Sequence, residues 1–155
     1  MLFQRINRTN PEKIFVVAKN TYSTASLSNG QPVRWDYDTD CDGVGVTKPA
    51  ANAVAHGADM AGVATETIAA GSYGLIQVYG YHSATIMRTI STTGNGDNGW
   101  VEIAKGTPLV SPVSAAFAFE GKDISATNNL HVCGFALAAQ ASYTTKSVAA
   151  FIKCL

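Results

Sequence analysis

Four aspartates at alternating positions are the densest group of potential metal ligands in the chain: Asp36, Asp38, Asp40 and Asp42, in the segment DYDTDCDG. Calcium prefers clustered carboxylates, and Asp-x-Asp-x-Asp-Gly begins an EF-hand loop. Counting from Asp38, however, the twelfth position holds Pro49 where that loop needs a bidentate glutamate. The flanking segments also have strand patterns. The segment is therefore predicted to be a solvent-facing acidic hairpin tip, with weak, opportunistic cation binding as the alternative.

Histidine and cysteine give no better metal site. His131 and Cys133 lie two residues apart, on the same face of a predicted strand, but two ligands are too few for zinc. The other two histidines are distant in sequence. The three cysteines are odd in number and lack C-x-x-C spacing, so neither a disulfide framework nor a zinc knuckle is expected. This pattern predicts no metal and fits assembly in the reducing cytoplasm of a host.

Catalytic patterns are equally absent from the sequence. No serine lies in a G-x-S-x-G elbow, and no cysteine has neighbours that would lower its pKa. Glu66, Glu102 and Glu120 are scattered over separate strand candidates, so a glycosidase pair has no support in the spacing. We predict no catalytic residue, no cofactor and no enzymatic activity; a small β-fold hydrolase is an alternative that would need a convergent set of such groups.

The N-terminal segment is basic. Four cations face a single glutamate within the first nineteen residues, and the apolar Phe3 lies beside Arg5 and Arg8. Asn10-Pro11 separates this segment from the first strand pattern, since a residue before proline is biased away from helix. Residues 1–13 are therefore predicted to be an arm in which Phe3, Arg5 and Arg8 dock on a partner; a solvated terminus is the alternative.

The rest of the chain, 14–155, has the pattern of short strands separated by Gly, Asn and Asp turns. Val33, Trp35 and Tyr37 alternate with three polar residues, which predicts a strand with these three side chains inward and one solvent-facing side. The longest strand signal runs from Tyr73 to Met87. At most one short helix is expected, over residues 49–60. The prediction is an all-β single domain, a barrel or sandwich, with no clean internal repeat.

The long strand predicted around Leu75 has no polar face. One face carries Leu75, Gln77, Tyr79 and Tyr81, and the other carries Ile76, Val78 and His82, so neither face is cleanly polar. One face should line the core, and the other should form a subunit contact or face a second layer. We therefore predict Tyr79 and Tyr81 as interface residues of a homo-oligomer, a trimer more readily than a dimer.

Composition narrows the possible partners. Charged residues make up 14% of the chain and balance to zero net charge, whereas a nucleic-acid binder would carry a basic excess. No apolar run approaches the ~18 residues of a membrane helix, and MLFQRINRTN lacks the apolar core of a signal peptide. Ala, Gly, Ser and Thr supply 63 of 155 residues. Partners are thus predicted to be proteins, with neither nucleic acid nor membrane involved.

Several stretches resemble the capsid decoration, or cement, proteins of tailed bacteriophages. They are EKIFVVAKNTYSTASLSNGQPVRWD, DGVGVTKPA, AGVATETIAAGSYGLIQVYGYHSATI, GFALAAQ and KSVAAFIKCL, which together cover most of the chain from Glu12 onward. The resemblance implies a non-enzymatic virion protein on the outer surface of an icosahedral head, where it clamps neighbouring copies of the phage major capsid protein. It supplies no catalytic residue. The alternative is a carbohydrate- or receptor-binding module of a phage tail, which would use tyrosine and tryptophan in a shallow groove.

Overall fold

The computed structural model describes residues 12–40, 42–49, 59–91, 100–101, 103–111, 117–121, 131–140 and 145–154, and its elements are β-strands. They are β1 (Lys13–Asn20), β2 (Pro32–Trp35), β3 (Gly45–Thr47), β4 (Met60–Ala64), β5 (Tyr73–Arg88), β6 (Ile90–Ser91), β7 (Trp100–Val101), β8 (Pro108–Val110), β9 (Phe119–Gly121), β10 (Val132–Ala136) and β11 (Lys146–Lys153). The prediction of an all-β fold is confirmed. The short helix expected over 49–60 falls mostly outside the described residues, and its last residue, Met60, begins β4. The first strand begins at Lys13, which the sequence had assigned to the arm.

The sixteen-residue strand β5 organises the molecule, because it pairs with different strands along its two halves. The strand order is β1-β3-β2-β4-β5-β11-β10-β8-β9, with additional β1–β5 and β5–β9 pairings. The β1–β5 pairing closes the first five strands into a barrel, and the β5–β9 pairing closes the last five into another. The predicted barrel is therefore double, and the two barrels share β5.

Both barrels have the same topology. In the first barrel the strands run in the order β1-β3-β2-β4-β5, and in the second the order is β5-β9-β8-β10-β11. Each barrel contains one parallel pair, β1–β3 or β5–β9, and its other pairs are antiparallel. Replacing β1 to β5 by β5, β8, β9, β10 and β11 converts one description into the other. The chain thus contains a structural duplication that the sequence analysis did not find.

Strand register repeats as closely as topology. Val33 pairs with Gly62 in the first barrel, and Leu109 pairs with Gly134 in the second; one extra residue precedes the glycine in both. The two glycines have φ of 148° and 157°, and a Cβ at either would lie 2.2 Å from a carbonyl oxygen of the next strand. A side chain cannot occupy that space, so both bulges require glycine.

Each barrel encloses its own apolar cluster. The buried residues of the first are Ala18, Leu27, Val33, Val46, Ala61, Ala64, Ile68, Ile76 and Val78. Those of the second are Met60, Val63, Met87, Ile103, Leu109, Phe119, Cys133, Ala136, Val148, Ala150 and Ile152. Met60 and Val63 lie on β4, a strand of the first barrel, but pack in the second cluster. The two cores therefore adjoin.

The long strand β5 departs from simple alternation at Gln77 and again between His82 and Thr85, where its pairing with β11 shifts register. The residues predicted for its inner face are buried: Ile76, Val78 and His82. Gln77, predicted on the opposite face with Tyr79 and Tyr81, is only 1% exposed, and its side-chain amide donates hydrogen bonds to the carbonyl oxygens of both tyrosines. The cause is a bulge, because Val78 is an extra residue opposite the Ile14/Phe15 step of β1.

Candidate interaction surfaces

An aromatic row crosses the outer face of β5, β11 and β10 beside the joint between the barrels. It consists of Tyr79, Tyr81, Phe151 and Phe135. Phe151 pairs in register with both Tyr81 and Phe135, which places the three residues side by side across adjacent strands. The rings of Phe135 and Phe151 stack with centroids 5.2 Å apart, and Tyr79 meets Phe151 edge-on at 5.1 Å. Edge-to-face and stacked pairs fix ring orientation. The row is therefore a preformed apolar surface.

The two tyrosines that the sequence predicts for an interface both belong to this aromatic row. Tyr79 and Tyr81 are half-buried; Tyr79 also packs against the first core, and the Lys13 ammonium lies 5.7 Å from the Tyr81 ring centroid. Phe135, at the other end of the row, is 38% exposed. The sequence analysis missed the two phenylalanines, because β10 and β11 carry no distinctive spacing that links them to β5.

A second apolar surface lies at the far end of β5, on the first barrel only. Val17 of β1 pairs with Leu75 of β5, and they are 65% and 41% exposed. Tyr73 and Phe15 extend this surface along the two strands, and both are exposed. Four large apolar side chains thus face outward on one antiparallel pair.

The acidic segment connects the antiparallel strands β2 and β3, so it lies at the tip of a hairpin as predicted. Its first aspartate, however, does not face solvent. Asp36 is only 4% exposed: its carboxylate accepts hydrogen bonds from the Thr21 hydroxyl and from the backbone and hydroxyl of Thr39. Tyr37, predicted to face inward, is 44% exposed. Burial of Asp36 therefore anchors the turn to the chain that follows β1.

The other aspartates of the acidic segment bind protein groups or one another. Arg34 forms ion pairs with Asp38 at 3.1 Å and with Asp59 at 3.2 Å. The hydrogen bond between Asp40 and Asp42 raises the pKa of Asp40 and lowers the pKa of Asp42. Among the described residues, no three His, Cys, Asp or Glu side chains form a group that could hold a metal ion.

The remaining ionisable groups lie apart. Glu66 is exposed and accepts the Leu75 N–H, whereas Glu120 is fully buried on β9 of the second barrel, so the two carboxylates do not form a pair. His82 is buried with its ring nitrogen 3.0 Å from the Thr85 hydroxyl; burial and then the charge of Lys13 lower the pKa of His82. The imidazole is therefore neutral at pH 7.

Two cysteines meet where β10 and β11 pair. Cys133 is fully buried, whereas His131 is exposed, so the shared face predicted for this pair is wrong. The extra residue in β10 is Cys133 itself, and the bulge turns it into the core. The Cys154 thiol lies 3.5 Å from the Cys133 carbonyl oxygen, and a hydrogen bond with the Cys133 side chain, together with burial, raises the Cys154 pKa well above its ordinary value. The Cys154 thiol is therefore not activated as a nucleophile.

Several residues singled out from the sequence lie outside the described residues. These are Phe3, Arg5, Arg8, Cys41, His56 and Glu102. The predicted docking of the arm is therefore still a prediction.

No family model matches the chain, and no curated protein is significantly similar to it. The part of the chain described here contains no helix that is long and apolar enough to cross a membrane.

Proposed function

We propose that this protein is a non-enzymatic virion structural protein that decorates the outside of an icosahedral phage capsid and clamps neighbouring copies of the major capsid protein. The aromatic row carries the proposal. It is a preformed apolar surface on a chain with few charged residues. Aromatic side chains that become fully desolvated contribute most of the binding energy at protein interfaces. The resemblance of the strand and turn segments to capsid decoration proteins supports the same function.

The position of the aromatic row suits a clamp. It lies beside the joint of the two barrels, so a partner that covers it contacts strands of both. Burying one large side chain contributes about 1.5 to 3 kcal/mol, which is weak for a single site. Repetition over many equivalent lattice sites, and linkage between copies, raises the effective affinity. The proposed arm adds Arg5 and Arg8, whose contacts with partner carboxylates would weaken with salt.

Removal of one ring tests this proposal. We expect Phe135→Ser to lower occupancy on undecorated expanded capsids about tenfold or more, since it removes an exposed ring worth at least ~1.4 kcal/mol and one side of the Phe151 stack. The measurement is binding of purified protein to capsids, followed by sedimentation and gel quantification.

Tyr73→Ser is the matched control, because Tyr73 is 62% exposed at the first residue of β5, in the second apolar surface and not in the aromatic row. Occupancy should stay at the level of the unaltered protein. Equal losses for both variants, or no loss for Phe135→Ser, would contradict attachment through the aromatic row.

A carbohydrate-binding module of a phage tail is the second candidate. The aromatic row favours this candidate too, because sugars stack on exposed aromatic rings and Phe135 has such a ring. Phenylalanine has no hydrogen-bonding group, however, and sugar sites need convergent polar groups beside the platform. Binding to a glycan array together with no capsid binding would select this candidate.

A further inference from the structure

The duplication repeats one turn in detail. In the first turn (residues 28–31), the Gly30 N–H donates to the Ala64 carbonyl at 2.8 Å, and the Gln31 N–H donates to Ser28 at 3.1 Å. In the second turn (residues 104–107), the Gly106 N–H donates to Ala136 at 2.8 Å and the Thr107 N–H to Ala104 at 3.1 Å. Gly30 and Gly106 have φ of 86° and 91°. The two turns are therefore equivalent parts of the two barrels.

The first turn has a binding partner within the chain. The Ile86 N–H of β5 donates to the Gly30 carbonyl at 2.8 Å. Gly30 is buried, and a Cβ built on it would lie 2.1 Å from the Ala84 carbonyl oxygen. The first turn thus covers the edge of β5 just before that strand meets β9, and β5 is the first strand of the second barrel.

The second turn has no such neighbour among the described residues. Gly106 is exposed, and a Cβ built on it would meet no described atom within 4 Å. The surface that docks on β5 in the first barrel is therefore open in the second.

The matching edge is open as well, on the first strand of the first barrel. Within the described part of the chain, β3 pairs with β1 only at Lys19 and Asn20. The Lys19 N–H donates to Val44 on that edge, so the N–H groups of Val17 and Phe15, two and four residues earlier, face the same way. Val17 and Phe15 are also 65% and 43% exposed. An exposed apolar edge of this kind is a template for another chain.

We propose that copies of this chain associate head to tail, the second turn (residues 104–107) of one copy binding the open β1 edge (residues 15–17) of the next. The contact between the barrels within one chain is the precedent: the turn of one barrel covers the first strand of the barrel that follows. In the proposed contact, β1 of a second copy lies against the second turn in the same way as the second half of β5 lies against the first turn within one chain.

This interface joins two different surfaces, so it is heterologous. Such contacts close into rings or continue as open chains. A closed ring of three is compatible with the predicted trimer. The association does not depend on attachment to a capsid.

Complementary variants test the proposal by sedimentation velocity at the highest concentration at which the protein stays in solution. Gly106→Asn places a side chain where the docked turn needs none, yet asparagine tolerates positive φ. Val17→Lys places a cation on the open edge. We expect the unaltered protein to sediment as multiples of 16.2 kDa and each variant alone to sediment as a monomer. An equimolar mixture should form dimers and nothing larger, because each variant retains one intact surface.

Gly71→Asn and Val132→Lys are the controls. Gly71 has φ of 76° and open space around it, and Val132 is 42% exposed; both controls should associate like the unaltered protein. Thermal unfolding establishes that each variant is folded. A monomeric unaltered protein, variants that still associate, or a mixture that stays monomeric would each overturn the proposal.

Discussion

Replacing Gly30 by alanine is expected to lower the free energy of unfolding by about 2 to 5 kcal/mol. Gly30 combines a φ of 86° with a position where a methyl group would overlap the Ala84 carbonyl oxygen at 2.1 Å. The left-handed conformation alone costs a non-glycine residue roughly 1 to 2 kcal/mol. Relieving the overlap must separate the first turn from β5 and break the Ile86 hydrogen bond, which adds strain of about 1 to 3 kcal/mol. Urea-induced unfolding measures the difference.

Gly106→Ala is the matched control for that substitution. Its φ is 91° in the same kind of turn, but its surroundings are open, so only the conformational cost of about 1 to 2 kcal/mol is expected. The two measurements together separate backbone strain from close packing between the barrels. Equal losses at the two positions would mean that the first turn does not pack against β5 as described.

Alanine at Leu27 and alanine at Ile103 should each destabilise the whole molecule. The two residues are equivalent: each is fully buried, one in each core, and each bridges to a chain segment that follows β4 or β10. Truncation of a buried Leu or Ile costs about 2 to 5 kcal/mol. At roughly 2 to 4 °C per kcal/mol for a chain of this size, the midpoint should fall by about 4 to 20 °C.

Both variants should retain a single calorimetric transition. Each barrel needs its half of β5 to close. When one core unfolds, β5 loses its support there, and the other barrel is destabilised as well. Leu75→Ala, on the exposed surface of the same strand, should change stability by less than about 0.5 kcal/mol. Two resolved transitions, with each variant moving only one of them, would show that the barrels unfold independently.

Strand positions could be predicted from the sequence because burial repeats with a period of two. The pattern around β5 placed Ile76 and Val78 inward correctly. It failed at Gln77 and Asp36, where a bulge and a turn bury a polar side chain that hydrogen bonds then satisfy. Periodicity carries no information on where a bulge falls within a strand or on where the strand ends, so these departures could not be predicted.

The duplication was missed for a different reason. Its sequence trace is limited to two short signatures: Gly30-Gln31-Pro32 matches Gly106-Thr107-Pro108, and the Gly62-Val63-Ala64 run matches Gly134-Phe135-Ala136. Outside these two signatures, the sequences of the two barrels share only the apolar character of the buried positions and the strand register, because the loops differ in length. The two signatures mark the turn and the bulge, the positions where backbone geometry excludes other residues.

The interaction surfaces were only partly predictable. Tyr79 and Tyr81 could be identified because, in a strand with two apolar faces, one face packs on the core and the other must pack on a second layer or on another subunit. Their neighbours Phe135 and Phe151 come from strands more than fifty residues later in the chain, and only the pairing of β10, β11 and β5 brings them together. The open β1 edge was not predictable at all, because it depends on where β3 stops.

The proposed function is tested most directly by a cryo-EM map of the parent phage particle. We expect two-barrel density for each copy on the outer surface of the head, with trimers around local three-fold positions. The rings of the aromatic row should face the major capsid protein. Density for this chain on the tail alone, or a head whose outer surface carries none, would contradict it.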